Sequence, residues 1–245
     1  MVLTIILAAG LQLNPFTRLP SVLDTIHDKP QIFYHIKQAL TIKSTHILIV
    51  LGKYRNLIEP VIEKYFSGMR QIVYIEQTSN CYLNTLRVRG TGDAIKSCLP
   101  FLLSNNILFE TNVLIMHGNG PLLSLKTINK MLCTPNTILV AEVKNPANYG
   151  RIIMNPDNTM IEKIVEDREC TAEESRIKLI NYGAYNIQLG VLAKFIPDLT
   201  NRNQHKKYYL TDIVQIAGKH FVKMTPYILP QKEIDVVPLM IDVLN

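Results

Sequence analysis

Met-Val-Leu-Thr-Ile-Ile-Leu-Ala-Ala-Gly, residues 1–10, is the stretch that decides the fold. Val2–Leu7 is a near-continuous apolar run with β-branched members, which is typical of a strand buried on both faces of a parallel sheet. Ala8, Ala9 and Gly10 follow directly. In open α/β sheets ligands bind at this edge, where backbone N–H groups can meet phosphate oxygens. The stretch therefore predicts either a ligand-binding strand end or a tight turn in which Gly10 only supplies an unusual backbone angle.

Beyond Leu7, buried-type strands alternate with segments of helical periodicity. This alternation predicts an α/β fold with right-handed βαβ units and a mostly parallel sheet flanked by helices. The predicted strands are His46–Leu51, Gln71–Ile75, Asn112–His117 and Asn136–Val143. The predicted helices are Gln31–Leu40, Leu57–Phe66, Thr91–Leu103 and a helix to Leu132 capped by Ser124.

The second half of the chain reads as β-rich, with a turn at Asn155–Asn158. No repeat, low-complexity tract or linker interrupts the sequence, so we expect a single domain over residues 1–245. The strands predicted in this half are Arg151–Met154, Met160–Val165, Leu179–Asn186, Val222–Met224 and Glu233–Val237, and the helices are Val191–Phe195 and Tyr209–Gly218.

Composition narrows the class of protein. A hydrophobic content of 47% with 19% charged residues describes a folded globular chain. The net charge of +6 raises nucleic acid as a partner, but Lys and Arg are scattered and no basic run is interleaved with aromatic residues. We therefore expect small-molecule anions as ligands and neither nucleic acid nor membrane as a partner.

Cysteine usage and the amino terminus predict a cytoplasmic, intracellular location. The four cysteines are widely spaced, which favours reduced thiols over a zinc site or a disulfide framework. The first residues lack the basic region and cleavage site of a signal peptide, and their apolar run is too short to span a bilayer.

Several common catalytic motifs are absent from the sequence. It contains no Gly-x-Gly-x-x-Gly, no Gly-x-x-x-x-Gly-Lys-Ser/Thr and no Gly-x-Ser-x-Gly, so dinucleotide dehydrogenases, P-loop NTPases and serine hydrolases have no support. No histidines are paired at metal-ligand spacing.

Nine short signatures occur instead, in a fixed order. They are Leu-Ala-Ala-Gly at 7–10, Leu-Pro-Ser-Val-Leu at 19–23, Asp-Lys-Pro at 28–30, Gly-Thr-Gly-Asp-Ala at 90–94, Met-His-Gly-Asn-Gly-Pro-Leu at 116–122, Asn-Tyr-Gly-Arg-Ile at 148–152, Ile-Val-Glu at 164–166, Ile-Asn-Tyr-Gly at 180–183 and Tyr-Tyr-Leu-Thr-Asp-Ile at 208–213. Together they resemble the sugar-1-phosphate nucleotidyltransferases, and in particular the uridylyltransferase domain of bacterial UDP-N-acetylglucosamine pyrophosphorylase. The resemblance covers nearly the whole chain.

The resemblance implies a Rossmann-like nucleotidyltransferase fold with a nucleotide half at about 1–120 and a β-rich sugar-binding half at about 121–245. It also implies a Mg²⁺-dependent reaction in which an oxygen of N-acetylglucosamine-1-phosphate, or of a similar sugar phosphate, attacks the α-phosphorus of UTP. Pyrophosphate leaves and a UDP-sugar forms. Such transfers depend on positioning and charge neutralisation more than on a covalent partner.

The resemblance also assigns roles to individual positions. Those that contact the nucleotide are Leu7, Ala8, Ala9, Gly10, Gly92 and Asn119. Those that bind the sugar are Gly150, Glu166, Asn181, Tyr209 and Thr211. Two of these positions have a plainer interpretation, since Glu166 also suits a solvated strand-end carboxylate and Asn181 a turn residue.

The chain departs from the family where phosphates and metal would bind. The family's Gly-x-Gly-Thr-Arg loop is Gly-Leu-Gln-Leu-Asn at 10–14, its Pro-Lys-Val-Leu lysine is Ser21, and its metal-binding aspartate is Asn119. An amide offers Mg²⁺ an oxygen without the favourable negative charge. Loss of a Lys and an Arg beside a triphosphate removes groups that offset its charge.

Other residues in the chain are candidate substitutes for these losses. We predict Arg18 and Lys29 as catalytic cations beside Asn119, although the alternative for Arg18, a solvated surface position, fits its sequence context slightly better. Gln77 reads the base if residues 78–89 are an insertion, because Val88 stands where the family has its base-reading glutamine. Asn119 and Asp235 are the predicted metal ligands.

Two hypotheses follow. The first is an active UTP-dependent uridylyltransferase that makes UDP-N-acetylglucosamine or a similar UDP-sugar. The second is a catalytically impaired relative that binds nucleotide or UDP-sugar without efficient turnover. Release of pyrophosphate from UTP discriminates between them.

Overall fold

The computed structural model describes residues 1–77 and 89–234. Strand β1 (Val2–Leu7) occupies the centre of the main sheet, as its apolar run predicts. It pairs in parallel with β4 (Ile47–Leu51) on one side and β6 (Asn112–His117) on the other. The predicted α/β class with a mostly parallel sheet flanked by helices is confirmed.

In the described ranges the main sheet has nine strands, in the order β11-β7-β10-β6-β1-β4-β5, with β8 attached to β10 and β9 attached to β8. Strand β10 (Leu179–Gln188) runs antiparallel between β6 and β7 and therefore brings its first residues to the carboxyl ends of its neighbours. The remaining strands are β2 (Thr25–Ile26), β3 (Lys29–Pro30), β5 (Ile72–Glu76), β7 (Thr137–Glu142), β8 (Arg151–Met154), β9 (Ile161–Val165) and β11 (Thr225–Ile228).

Helices cover both faces of this sheet because the side chains of β1 alternate between two apolar clusters. Leu3 and Ile5 pack with the helices at 91–104, 189–195 and 212–218, whereas Ile6 packs with those at 31–41 and 55–66. The helices are α1 (Gln31–Thr41), α2 (Arg55–Phe66), α3 (Thr91–Ser104), α4 (Leu125–Leu132), α5 (Leu189–Phe195), α6 (Asp212–Gly218) and α7 (Gln231–Ile234). The predicted N-cap is confirmed, since Ser124 accepts a hydrogen bond from the N–H of Thr127 over 3.1 Å.

Two predicted strands near the carboxyl terminus are wrong as placed. Val222–Met224 is not a strand, and the strand is Thr225–Ile228, which contains Pro226 and lies at the sheet edge, where a proline is tolerated. Met224 is buried, which gives the apolar signal that predicted a strand there. Glu233 begins no strand, because it lies in α7, and residues 235–237 are outside the described part.

Helix α6 begins at Asp212, three residues after the predicted start at Tyr209. The reason is a tertiary contact, since the N–H of Leu210 donates to Thr91 Oγ1 over 3.0 Å and holds the preceding segment against α3. In residues 1–77 and 89–234, no helix combines the length and the apolar character needed to cross a membrane.

Candidate active site

A cavity of about 680 Å³ opens at the edge where the parallel strands end. Strand β1 contributes Leu7 and the residues after it, β5 is followed by Gln77, and β6 ends at His117. Because β10 runs in the opposite direction, its early residue Asn181 reaches the same edge. This is the position that the sequence predicts for a ligand.

Eleven of the predicted site residues line this one cavity. They are Leu7, Ala8, Ala9, Gly10, Gln77, Asn119, Gly150, Glu166, Asn181, Tyr209 and Thr211.

At the end of the cavity formed by β1, the groups available to a ligand are backbone N–H groups and not charged side chains. The N–H of Ala8 donates to the carbonyl of Val50 over 2.9 Å, whereas those of Ala9, Gly10 and Leu11 donate to no described backbone carbonyl. A Cβ added at Gly10 would meet nothing within 4 Å. Small side chains and unused N–H groups together leave room for close approach of a phosphate.

The loop after Gly10 satisfies its own polar groups. Asn14 Oδ1 accepts from the N–H groups of Phe16 and Thr17 over 2.9 and 3.1 Å, and Asn14 Nδ2 donates to Asp24 over 2.8 Å. The N–H of Asn14 itself donates to the carbonyl of Leu19 over 2.9 Å. The loop therefore folds as a closed turn and supplies no cation to the cavity.

Asn119 and Ser21 hold each other beside this loop. Asn119 Nδ2 donates to Ser21 Oγ over 2.9 Å, and Ser21 is buried. At these two positions the resemblance noted in the sequence predicts an aspartate and a lysine, whereas the structure has an uncharged hydrogen bond.

The described residues do not form a good Mg²⁺ site. Mg²⁺ in phosphate-binding sites is usually held by one or two carboxylates, and no group of three His, Cys, Asp or Glu residues in the described ranges could hold a metal. Among the described residues lining the cavity, Glu166 is the one carboxylate, and it bonds Thr211 instead. The second predicted ligand, Asp235, and the aligned Val88 lie outside the described residues.

Glu166 and Thr211 form the core of the opposite end. Thr211 Oγ1 donates to Glu166 Oε1 over 2.7 Å, which leaves the second carboxylate oxygen available. Burial raises the pKa of Glu166, and the hydrogen bond from Thr211 and the charge of Lys207 oppose that increase. Burial and the nearby carboxylate of Glu166 raise the pKa of Tyr209 to about 12, so its phenol stays protonated.

A β-bulge in β10 shapes the wall between the two ends. The register of β10 against β7 shifts between Asn181 and Tyr185, and Gly183 within it has φ +83°. Asn181 Nδ2 donates to the hydroxyl of Tyr185 over 2.7 Å, and the N–H of Asn181 donates to the carbonyl of Gly150 over 2.8 Å. These contacts fix the amide of Asn181 at the cavity.

Gln77 lines the cavity directly after β5. Its Nε2 donates to the carbonyl of Gly90 over 3.1 Å and to Asp93 Oδ2 over 2.9 Å. This ties the end of β5 to the first turn of α3 and orients the amide oxygen of Gln77.

Three predicted site residues are not brought to the cavity wall. Arg18 is exposed and belongs to the closed turn. The ammonium of Lys29 lies 4.7 Å from the ring centroid of Tyr65 in α2, and Lys29 is not among the residues that line the cavity. Gly92 faces Leu199, whose Cδ1 would be 2.5 Å from an added Cβ, so its small size serves helix packing, and its neighbours Gly90 and Thr91 line the cavity instead.

Several lining residues were not predicted, including His117, Asn148, Tyr185 and Lys207. His117 ends β6 and could have been found from its place at a strand end. Burial lowers the pKa of its imidazole, so the ring is neutral. Lys207 precedes the Tyr-Tyr-Leu-Thr-Asp signature, but no local pattern marks it.

No family model matches the chain. It is 32% identical over 244 residues to the bifunctional protein GlmU of Nitratiruptor sp., covering 98% of this chain and 52% of that protein. It is 31% identical over 239 residues to a probable UDP-N-acetylglucosamine pyrophosphorylase of Acanthamoeba polyphaga mimivirus, covering 94% of this chain and 88% of that protein. The chain thus spans about half of this GlmU protein and most of the mimivirus protein.

Two solved structures share the fold at low identity. HddC from Yersinia pseudotuberculosis, complexed with GMP-PN, superposes with a TM-score of 0.63 at 18% identity, over 94% of this chain and 91% of that one. A UDP-glucose pyrophosphorylase complexed with UDP-glucose superposes with a TM-score of 0.69 at 18% identity, over 93% and 90%.

Proposed function

The chain belongs to the sugar-1-phosphate nucleotidyltransferase family and has its Rossmann-like fold, and from this premise we propose that it is a UTP-dependent sugar-1-phosphate uridylyltransferase. The proposed products are UDP-N-acetylglucosamine, or a similar UDP-sugar, and pyrophosphate. One observation carries the proposal: residues from both groups of signatures, Ala8–Gly10 and Glu166 with Thr211, line the same cavity.

The roles proposed for the residues at the two ends of the cavity follow from their chemistry. The backbone at Ala8–Gly10 approaches the phosphates of UTP closely, and Gln77 reads the base. Glu166, Asn181 and Thr211 hold the hydroxyl and N-acetyl groups of the sugar, because convergent polar groups in a pocket fix the orientation of a ligand. An oxygen of the sugar phosphate then attacks the α-phosphorus of UTP in line with the departing pyrophosphate.

A second candidate function is supported by the Asn119–Ser21 hydrogen bond. It leaves the phosphate end of the cavity without a described cation or metal-binding carboxylate. A protein of this kind binds the nucleotide or UDP-sugar through contacts to the base and the sugar ring. Its turnover is inefficient, because transfer requires neutralisation of the charge that develops on the phosphates.

Pyrophosphate release decides between the two functions. The assay contains UTP, N-acetylglucosamine-1-phosphate and Mg²⁺, and omission of the sugar phosphate is the control. Sugar-dependent release supports the transferase. If the protein releases no pyrophosphate but UDP-N-acetylglucosamine raises its melting temperature, the result supports the binding protein, since a ligand that binds the folded state stabilises it. A protein that releases no pyrophosphate and is stabilised by no nucleotide or UDP-sugar would contradict both functions.

A further inference from the structure

Lys207 lies in a short segment whose backbone is fixed on both sides. Asn203 Nδ2 donates to the carbonyl of Lys207 over 2.6 Å, and Asn203 Oδ1 accepts from the N–H of Lys207 over 3.1 Å. The next residue, Tyr208, donates its N–H to Arg89 over 2.7 Å and accepts from the N–H of Gly92 over 2.9 Å. These bonds tie the segment to the start of α3, so the fold sets the backbone position of Lys207 relative to the cavity.

Among the described residues that line the cavity, Lys207 is the one Lys or Arg. Its neighbours differ from it. Lys206 is exposed and outside the cavity lining, and the ring of Tyr208 packs against the cations of Arg89 and Lys96, 5.5 and 4.4 Å from its centroid. Lys207 is half-buried and forms no ion pair with a carboxylate in residues 1–77 or 89–234.

Glu166 is close enough for Lys207 to act on it electrostatically, yet Glu166 directs Oε1 to Thr211. Lys207 is therefore a partly desolvated cation that faces a cavity and lacks a bonded counter-ion among the described residues. Such a group gains from an anionic ligand, because a charge-assisted hydrogen bond offsets the cost of its burial.

On the basis of the proposed function, we infer that Lys207 binds the phosphate of the sugar-1-phosphate. A sugar held by Glu166 and Thr211 has its ring beside Lys207, and the phosphate is its charged group. Lys207 then supplies, from the sugar side, positive charge that the nucleotide side lacks at Ser21 and in the loop after Gly10. A carboxylate on a sugar ring would satisfy the same ammonium, and the experiment separates the two.

Lys207→Met tests the inference, with Lys206→Met as the matched control, because methionine keeps an unbranched chain and removes the charge. Calorimetry measures the Kd of N-acetylglucosamine-1-phosphate, of neutral N-acetylglucosamine and of glucuronic acid for each protein. We expect Lys207→Met to bind the sugar phosphate roughly tenfold more weakly or worse, since hydrogen bonds to charged groups are strong. Binding of the neutral sugar stays unchanged, and Lys206→Met behaves as wild type. Lys207→Arg, which keeps the charge, retains most of the affinity.

Three results overturn the inference: an equal loss for the neutral sugar and the phosphate, a loss confined to glucuronic acid, or a wild-type protein that binds no sugar phosphate. Melting temperatures without ligand exclude a folding defect as the cause of any loss. The inference and the proposed function fail separately. If the wild-type protein releases pyrophosphate and Lys207→Met binds the sugar phosphate as wild type does, only the inference is overturned. If Lys207→Met selectively loses affinity for the sugar phosphate but the wild-type protein releases no pyrophosphate, only the transferase proposal is overturned.

Discussion

Asn119 and Ser21 are joined by a hydrogen bond of 2.9 Å, from the amide Nδ2 to the hydroxyl. They are two of the positions at which we predict from the sequence that charged residues are replaced. The structure links these two positions physically, because each residue satisfies a polar group of the other. Their contact needs neither a cation nor a metal.

Asn119→Asp should make the phosphate end of the cavity a better Mg²⁺ site. The added carboxylate supplies the negative charge that the amide lacks, so we expect Mg²⁺ to bind roughly tenfold more tightly in the presence of UTP. Calorimetry with Mg²⁺ measures this, and Asn148→Asp, at another cavity-lining position, is the control. Tight binding by wild type that Asn119→Asp does not change would show that other ligands, Asp235 first, hold the metal.

Glu166→Ala should abolish stabilisation by UDP-N-acetylglucosamine. Under the proposed function Glu166 accepts from the sugar hydroxyls, and Thr211 already orients its carboxylate, so its loss removes that acceptor. Thermal melting with and without the UDP-sugar gives the shift. Glu162→Ala, at an exposed glutamate of β9, the strand that Glu166 directly follows, should keep the wild-type shift. A shift that survives Glu166→Ala would remove this residue from the site.

Sequence alone predicts which segments meet at the cavity when those segments are the ends of strands. Leu7–Gly10, Gln77 and Asn181 meet at one cavity because parallel strands and the reversed β10 bring distant segments to the same edge. Buried strands leave a strong apolar signal, so their order and ends are readable.

The positions of cationic side chains that are set by tertiary contacts cannot be predicted from local sequence in this way. Arg18 lies in the expected loop, but Asn14 closes that loop into a turn through its own side chain. Lys29 is engaged by the ring of Tyr65, a residue distant in sequence. Lys207 reaches the cavity because Asn203 and the start of α3 fix its backbone.

Asp212→Asn should increase stability near neutral pH. Burial, and then the charges of Glu166 and Glu169, raise the pKa of Asp212 from 3.8 to about 6. An acid with a higher pKa in the folded than in the unfolded protein contributes most below the unfolded pKa, and that contribution is lost as the pH rises through the folded pKa. At pH 7.5 the buried charge is thus a cost, on the order of 1 kcal/mol after allowance for partial exposure.

Urea unfolding at pH 4.5 and pH 7.5 measures the effect. The gain of Asp212→Asn over wild type should be larger at pH 7.5. Asp198→Asn, at an exposed position, should show no such dependence on pH. An equal change at both pH values would show that Asp212 matters for packing and not for its charge.

Asp167→Asn should destabilise the β-rich segment. Arg151 is 2% exposed, and its Nη2 pairs with Asp167 Oδ1 over 2.6 Å while Nη1 donates to the carbonyl of Tyr149. Loss of the carboxylate leaves a buried guanidinium without its counter-ion, which costs about 3 kcal/mol. Urea unfolding measures the loss, and Asp157→Asn, in an exposed turn, is the control. A loss no larger than that of the control would show that Arg151 is satisfied by carbonyls alone.

Gly10→Ala separates ligand approach from folding. An added Cβ would meet nothing within 4 Å, so the melting temperature without ligand should stay unchanged. If phosphates approach the backbone at Ala8–Gly10, the new methyl group occupies their place, and we expect UTP to bind roughly tenfold more weakly.

Gly90→Ala is the contrasting variant. Gly90 has φ +100°, and an added Cβ would lie 2.3 Å from the carbonyl oxygen of Tyr208, so this change should lower the melting temperature itself. Calorimetry with UTP and melting without ligand are measured for both variants. UTP binding that Gly10→Ala leaves intact would place the phosphates away from the end of β1, and the first strand would then end in a turn with no ligand role.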